Sequence, residues 1–190
     1  IEDSEIEIIF YDFKNNFLKK INLSDLKKIN QLVINKEFLD GNQTFGHFYI
    51  FHKILDNQKK KIHISNRCYL GFSKKNSNPS FVHGNSFVKG RNFSNGRIIS
   101  NFVKTSLIKN FRYCIQENFL DLDKVELFIN NPTTKKIKIS FNKKNYLLMP
   151  DNDLKIDISK IEKIEIYSNC ALLRPTIFTY KGNYFDVHHA

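Results

Sequence analysis

The residues best suited to chemistry are a carboxylate and several histidines, most of them close to the end of the chain. Asp186 and His188 are two positions apart, and alternate residues of a β-strand lie on the same face of a sheet. An oxygen and an imidazole on one face could bind a divalent cation or take part in hydrolysis. His83 follows Val82 as His188 follows Val187, so His83 is the candidate third ligand.

This pattern is short, and ordinary structural roles explain the same residues. His83 and His188 are then polar strand ends that hydrogen-bond to the backbone, and His189, beside the last residue, is solvated. We therefore predict no metal and no cofactor. A hydrolase or metal-dependent enzyme with a His and Asp site stays an alternative to a non-enzymatic protein, which we favour.

The sequence lacks the motifs that mark common enzyme classes. It contains no glycine-rich phosphate loop, no Gly-x-Ser-x-Gly nucleophile elbow and no His-Glu-x-x-His zinc motif. Its three cysteines, Cys68, Cys114 and Cys170, form no Cys-x-x-Cys pair and are too few for a disulfide framework. We expect buried, reduced thiols, with a bridge between Cys68 and Cys170 as the alternative.

A second group of residues suits the binding of a ligand. Hydrogen-bonding side chains and one aromatic ring fall at predicted loop edges, namely Asn66, Arg67, His83, Asn85, Arg174 and Tyr184. Tyr69 and Phe81 add flat apolar faces, and sugars are recognised by this combination. Aromatic rings beside basic residues also suit single-stranded nucleic acid, although no nucleic-acid-binding motif is present. The alternative is that most of these rings fill the core.

Positive charge is concentrated in one third of the chain. The formal net charge is +11, and residues 57–116 contain twelve Lys or Arg but no Asp or Glu. That window therefore carries +12 and the remainder −1. We predict a basic face that includes Lys59, Lys60, Lys61, Lys74, Lys75, Lys89, Arg91 and Arg97. Such a face attracts anions, although a solvated rim with its acids elsewhere in the fold is an equal alternative.

Composition bounds the class of protein. The chain has 190 residues, enough for one domain with a sizeable core. No apolar run approaches the roughly 20 residues that a membrane-spanning helix needs, and no signal peptide is visible. The chain begins at Ile1 and its single methionine is Met149, so we expect a fragment of a longer parent chain. Nothing in the sequence indicates its compartment.

Short alternating segments predict the fold class. Val125, Leu127 and Ile129 alternate with polar residues, and the segments 137–141 and 154–158 repeat the pattern between turn-forming residues. Strands at such spacing are typical of an all-β, antiparallel β-sandwich. We predict a single sandwich domain over 1–190 with at most one short helix, over 107–120, where a strand at 111–115 is nearly as well supported.

Two segments of the chain resemble each other. Ser65-Asn66-Arg67-Cys68 is followed by Phe81-Val82-His83, and Ser168-Asn169-Cys170 is followed by a strand ending in Val187-His188. This similarity raises the option of an internal duplication that relates 5–88 to 123–189.

Together these patterns predict a binding or accessory domain whose basic face engages an anionic polymer. We place a surface polysaccharide ahead of nucleic acid as that polymer. A third interpretation is a structural domain that packs against the rest of the parent chain.

Overall fold

The protein is all-β and its sheets are antiparallel, as the sequence predicts. The computed structural model describes residues 4–27, 29–41, 45–54, 68–74, 78–84, 89–91, 98–101, 103–115, 119 and 121–189. These residues contain no helix, and so none that is long and apolar enough to cross a bilayer. The predicted β-sandwich class is confirmed.

The described residues form fifteen strands in chain order. They are β1 (Ser4–Asp12), β2 (Phe17–Leu23), β3 (Gly46–Ile54), β4 (Tyr69–Phe72), β5 (Ser80–His83), β6 (Lys89–Arg91), β7 (Ile98–Asn101), β8 (Phe111–Ile115), β9 (Lys124–Asn130), β10 (Ile137–Phe141), β11 (Lys144–Leu148), β12 (Asp153–Asp157), β13 (Ile164–Ser168), β14 (Thr176–Lys181) and β15 (Tyr184–His189).

The chain folds into two compact units. The first comprises Ile1–Ile64 and Gly90–Ser100, and the second comprises Ser65–Lys89 and Asn101–Ala190. In the first unit β1 is the central strand of a three-stranded sheet, between β2 and β3. Ile8, Ile9 and Phe10 are all buried there, since a central strand covered on both faces carries a continuous apolar run.

The second unit contains the sandwich that the alternating segments predict. One sheet has the order β11-β10-β13-β8 and the other has the order β12-β9-β14-β15. Ile139 and Ile166 of the first sheet belong to the same buried cluster as Leu127 and Ile177 of the second. The inward residues of both sheets therefore share one core, as in other two-sheet folds.

The optional helix over 107–120 is not formed within the described residues. Phe111–Ile115 is strand β8, which pairs antiparallel with β13 at the edge of its sheet. Burial alternates along it, and β-formers such as Phe111 and Tyr113 fit that pattern. Residues 116–118 and 120 lie outside the described part of the chain.

The proposed duplication stays a prediction. Each of the two Val-His pairs lies near the end of the second strand of an antiparallel hairpin, formed by β4 with β5 and by β14 with β15. Residues 65–67, which begin the first copy, lie outside the described residues.

A buried asparagine holds one end of the sandwich together. The Asn131 side chain is 0% exposed. Its Nδ2 donates to the carbonyl oxygens of Lys135, Leu148 and Met149 at 2.9–3.0 Å, and its Oδ1 accepts from the backbone nitrogen of Thr133 at 3.0 Å. One amide therefore satisfies the loop after β9 and the end of β11 together.

We expect Asn131→Ala to lower the free energy of unfolding by about 3 kcal/mol, because the carbonyl of Leu148 loses this donor and the buried N–H and hydroxyl of Thr133 lose their shared acceptor. Urea denaturation followed by circular dichroism measures the change. Asn145→Ala, at an exposed position in the β10–β11 hairpin, is the control and should change the stability by less than about 0.5 kcal/mol. Equal effects of the two substitutions would contradict this role of Asn131.

Candidate functional site

The outer edge of β15 is where the candidate site is built. This strand ends the β12-β9-β14-β15 sheet, so one side of its backbone faces no partner within that sheet. Ser80 at the start of β5 bonds to it instead. Its Oγ accepts a hydrogen bond from the Val187 nitrogen at 3.0 Å and donates one to the Asp186 carboxylate. The Val187 N–H is also 2.8 Å from the Asp186 carboxylate, so two side chains satisfy this edge donor.

A histidine fixes the other end of β5 to the same strand. The His189 Nε2 donates to the backbone carbonyl of His83, and the two imidazole centroids are 5.2 Å apart. The His189 Nδ1 lies 3.5 Å from the Thr176 hydroxyl, which can donate to it. Ser80 and His189 thus hold β5 beside β15 at two points.

Arg174 lies next to His83. The Arg174 Nη2 is 3.1 Å from the His83 Nε2. A guanidinium group only donates, so the His83 Nε2 must accept and the ring proton is on Nδ1. The His83 Nδ1 is 3.3 Å from the Gly84 carbonyl, which is the acceptor that this tautomer needs. The bonding therefore describes a neutral His83 beside a charged Arg174.

The hairpin of β4 and β5 presents an exposed surface that carries aromatic side chains. Val82 is buried while Phe81 and His83 point outward, because alternate strand residues face opposite sides. Tyr69 lies directly across from His83, and Gly71 lies across from Phe81. Tyr69 is 67% exposed and Phe81 is 64% exposed. We call Tyr69, Phe81 and His83 the aromatic platform.

Gly71 makes room for the ring of Phe81. A Cβ atom at position 71 would lie 2.7 Å from the Phe81 Cε1, which is closer than carbon atoms can approach. The Phe81 ring therefore lies across the backbone of β4 instead of standing away from it. A side chain at position 71 would displace this ring.

Burial sets the protonation of two groups near the platform. It lowers the pKa of His189; the hydrogen bond to the His83 carbonyl opposes this shift, and the charge of Arg174 adds to it. Burial also raises the pKa of the Cys68 thiol, so Cys68 stays protonated at neutral pH. The three cysteines are free and form no bridge. The expectation that they are buried holds for Cys170 but is wrong for Cys114, which points outward from strand β8, and Cys68 is half-buried.

The residues proposed for a metal site take separate roles. Asp186 bonds to Ser80, and the ring of His188 stacks on Phe119 with centroids 6.3 Å apart. His83 contacts His189 and Arg174. Within the described ranges no group of three His, Cys, Asp or Glu side chains is placed to hold a metal ion.

The structure brings together two of the six predicted ligand-binding residues, His83 and Arg174. Tyr184 is 81% exposed but begins β15, five residues from His189 and so about 16 Å away along the strand. Asn66, Arg67 and Asn85 lie outside the described residues. His189 was expected to be solvated but is half-buried. It is two positions after the apolar Val187 and so on the same face of the strand, which is the signal in the sequence that indicated packing.

Few members of the predicted basic face fall in the described residues. Lys74, two residues after β4, is exposed. Lys89 differs from the expectation, because its side chain is 2% exposed and its ammonium group pairs with Asp151. The other side chains of the predicted face lie outside the described part of the structure, namely those of Lys59, Lys60, Lys61, Lys75, Arg91 and Arg97.

Comparisons with protein-family models, with curated proteins and with solved structures gave no significant match to this chain. Its function is therefore inferred from its own side chains.

We expect acid to destabilise the second unit through His189. The pKa of this imidazole is lowered in the folded protein. Below about pH 6.5 the unfolded chain therefore binds more protons than the folded chain, and the free energy of unfolding decreases as the pH is lowered. In His189→Gln the loss of stability between pH 7.5 and pH 5.5 should be smaller than in the wild type. Thermal unfolding followed by circular dichroism measures it.

Tyr184→Ala is the control for this comparison, because it alters an exposed, uncharged side chain of the same strand. It should keep the acid dependence of the wild type. An unchanged acid dependence in His189→Gln would show that His189 is not responsible.

Proposed function

We propose that this chain is a non-enzymatic binding domain that holds an acidic polysaccharide on the aromatic platform. The observation that carries the proposal is that Tyr69, Phe81 and His83 are exposed on one face of a hairpin, with the guanidinium group of Arg174 bonded to His83. A flat apolar surface with charged and hydrogen-bonding groups at its margin is the combination that a sugar ring requires.

The dimensions of the platform suit a sugar. Phe81 and His83 are two residues apart on one strand, about 6.6 Å, and Tyr69 lies across from His83 at about 5 Å. A sugar ring can lie flat on such an area with its apolar face against the aromatic side chains. Its hydroxyl groups then reach the guanidinium group of Arg174, which has donors besides the one bonded to His83.

Charge indicates that the sugar is acidic. The platform lies inside the window of residues 57–116, which has no Asp or Glu, and the chain as a whole carries +11. Arg174 adds a cation from outside this window, and exposed Lys74 follows β4. A field of one sign concentrates polyanions near the site and speeds their association.

The basic side chains of the described residues suit a polysaccharide better than a nucleic acid. A nucleic-acid strand carries a phosphate at every nucleotide and is bound by a row of basic side chains. Among the described residues, Arg174 is the cation seen bonded to the platform, while Lys89 and Arg112 pair with the carboxylates of Asp151 and Glu165. Acidic sugars need fewer cations, because their hydroxyl groups and apolar faces also contribute to binding.

We expect Phe81→Ala and Tyr69→Ala each to weaken binding of an acidic polysaccharide about tenfold, because each removes a stacking surface. Heparin, alginate and a neutral glucan are the probes, with affinity measured by calorimetry at constant ionic strength. Tyr184→Ala removes a more exposed ring away from the platform and should leave the affinity unchanged.

Failure of both acidic polysaccharides to bind the wild type would overturn the proposal. Tighter binding of single-stranded DNA than of either polysaccharide at the same salt concentration would replace it with the nucleic-acid alternative.

The basic window makes a separate prediction. Charge reversal of Lys59, Lys60, Lys61, Lys74 and Lys75 to Glu should weaken binding and reduce its dependence on salt, because long-range attraction is lost. Affinity measured between 50 and 300 mM salt, roughly the range over which screening grows, tests this. Binding that persists unchanged in the variant would exclude a role for these lysines.

A further inference from the structure

We propose that Arg174, His83 and His189 form a proton-dependent oxyanion site, which takes the carboxylate or sulfate group of the acidic sugar and binds it more tightly as the pH falls. The proposed function supplies the polymer to which this anionic group belongs. The anion site itself follows from the arrangement of the three side chains.

The hydrogen bonds in the structure define the protonation state of the site. The Arg174 guanidinium donates to the His83 Nε2, and His83 is neutral with its proton on Nδ1. His189 uses its Nε2–H on the carbonyl of His83, so its Nδ1 is the position at which it can gain a proton. One positive charge is then present, and the lone pair of His83 occupies a donor of Arg174.

Protonation of His83 reverses this arrangement. Histidine side chains change charge between about pH 8 and pH 5, and a protonated imidazole has two donors and no acceptor. The Arg174 and His83 nitrogen atoms, now 3.1 Å apart, would both be donors of like charge. An oxyanion between them accepts from both, and it replaces a repulsive contact with two charge-assisted hydrogen bonds.

His189 adds to the effect from the other side of His83. Its ring centroid is 5.2 Å from that of His83, and a proton on Nδ1 would raise the charge of the site by a further unit. Because its pKa is lowered, this gain occurs at more acidic pH. Protonation of both imidazole groups would raise the charge of the site from one to three.

Among the described residues of these strands, few groups would compete with the anion. From β4, the thiol of Cys68 is held protonated and Tyr69 is a phenol. The nearest carboxylate in the described contacts of these strands is Asp186, which bonds to Ser80 at the opposite end of β5. Ser80 and His83 are three positions apart on the strand, about 10 Å, which is close to the screening length in 0.1 M salt.

Inorganic sulfate and acetate are the probes for this site. They are titrated into the wild type at pH 7.5 and pH 5.5, at constant ionic strength set with chloride, while the imidazole proton signals of all histidines are followed by NMR. We expect the signals of His83 and His189 to shift, with the dissociation constant of the preferred anion about fivefold or more lower at pH 5.5. The preference between sulfate and acetate distinguishes a sulfated sugar from a uronic acid.

His83→Gln is the decisive variant, because glutamine can still accept from Arg174 but cannot gain a proton. The pH dependence of anion binding should be largely lost in it. His52→Gln in the first unit removes a different half-buried histidine and should keep the wild-type dependence. If His83→Gln does not fold, the imidazole signals of the wild type at the two pH values test the anion site by themselves.

Equal affinity at the two pH values, or shifts at histidines other than His83 and His189, would overturn the anion site. So would a pH dependence that survives in a folded His83→Gln. The two proposals fail separately: acid-strengthened sulfate or acetate binding without polysaccharide binding removes the proposed function alone, and polysaccharide binding that does not depend on pH removes this inference alone.

Discussion

The site depends on one constraint, which is that the outer edge of β15 has no partner strand within its own sheet and must be covered. A strand at the end of a sheet leaves backbone donors and acceptors without partners, and proteins cover such edges to avoid pairing with other chains. Here Ser80 bonds to the edge nitrogen of Val187, and His189 reaches back to the carbonyl of His83. The edge is covered by a hairpin held through side chains, and this hairpin carries the platform.

The same attachment decides which side chains are left for a ligand. With Val82 buried, the two-residue period of β5 points Phe81 and His83 outward. Antiparallel pairing then places Tyr69 beside His83, and the absent side chain of Gly71 lets Phe81 lie flat. Arg174, just before β14, meets His83 because β14 pairs with β15, which holds the hairpin. The binding surface therefore follows from covering an edge.

The alternation of apolar and polar residues was sufficient to predict the fold class. The candidate site depends on contacts between residues that are far apart in the chain. The alternation of Val125, Leu127 and Ile129 was sufficient to predict a strand of a sandwich, because burial on one face imposes that period. Alternation does not show which strands become neighbours. The repeated Val-His pair suggested that His83 lies near Asp186 and His188, but it did not show that the contact of His83 is His189, 106 residues away in the chain. Lys89 was misplaced for the same reason, since its partner Asp151 is 62 residues away.

The most direct test of the account is to map where an acidic oligosaccharide binds. A short uronic-acid or heparin oligomer is titrated into isotope-labelled protein while the backbone and aromatic signals are recorded by NMR. We predict that the largest shifts occur at Tyr69, Phe81, His83 and Arg174 and are small at Tyr184. Shifts centred on another surface, or no shifts at concentrations where the polymer binds, would contradict the assignment of the platform as the binding site.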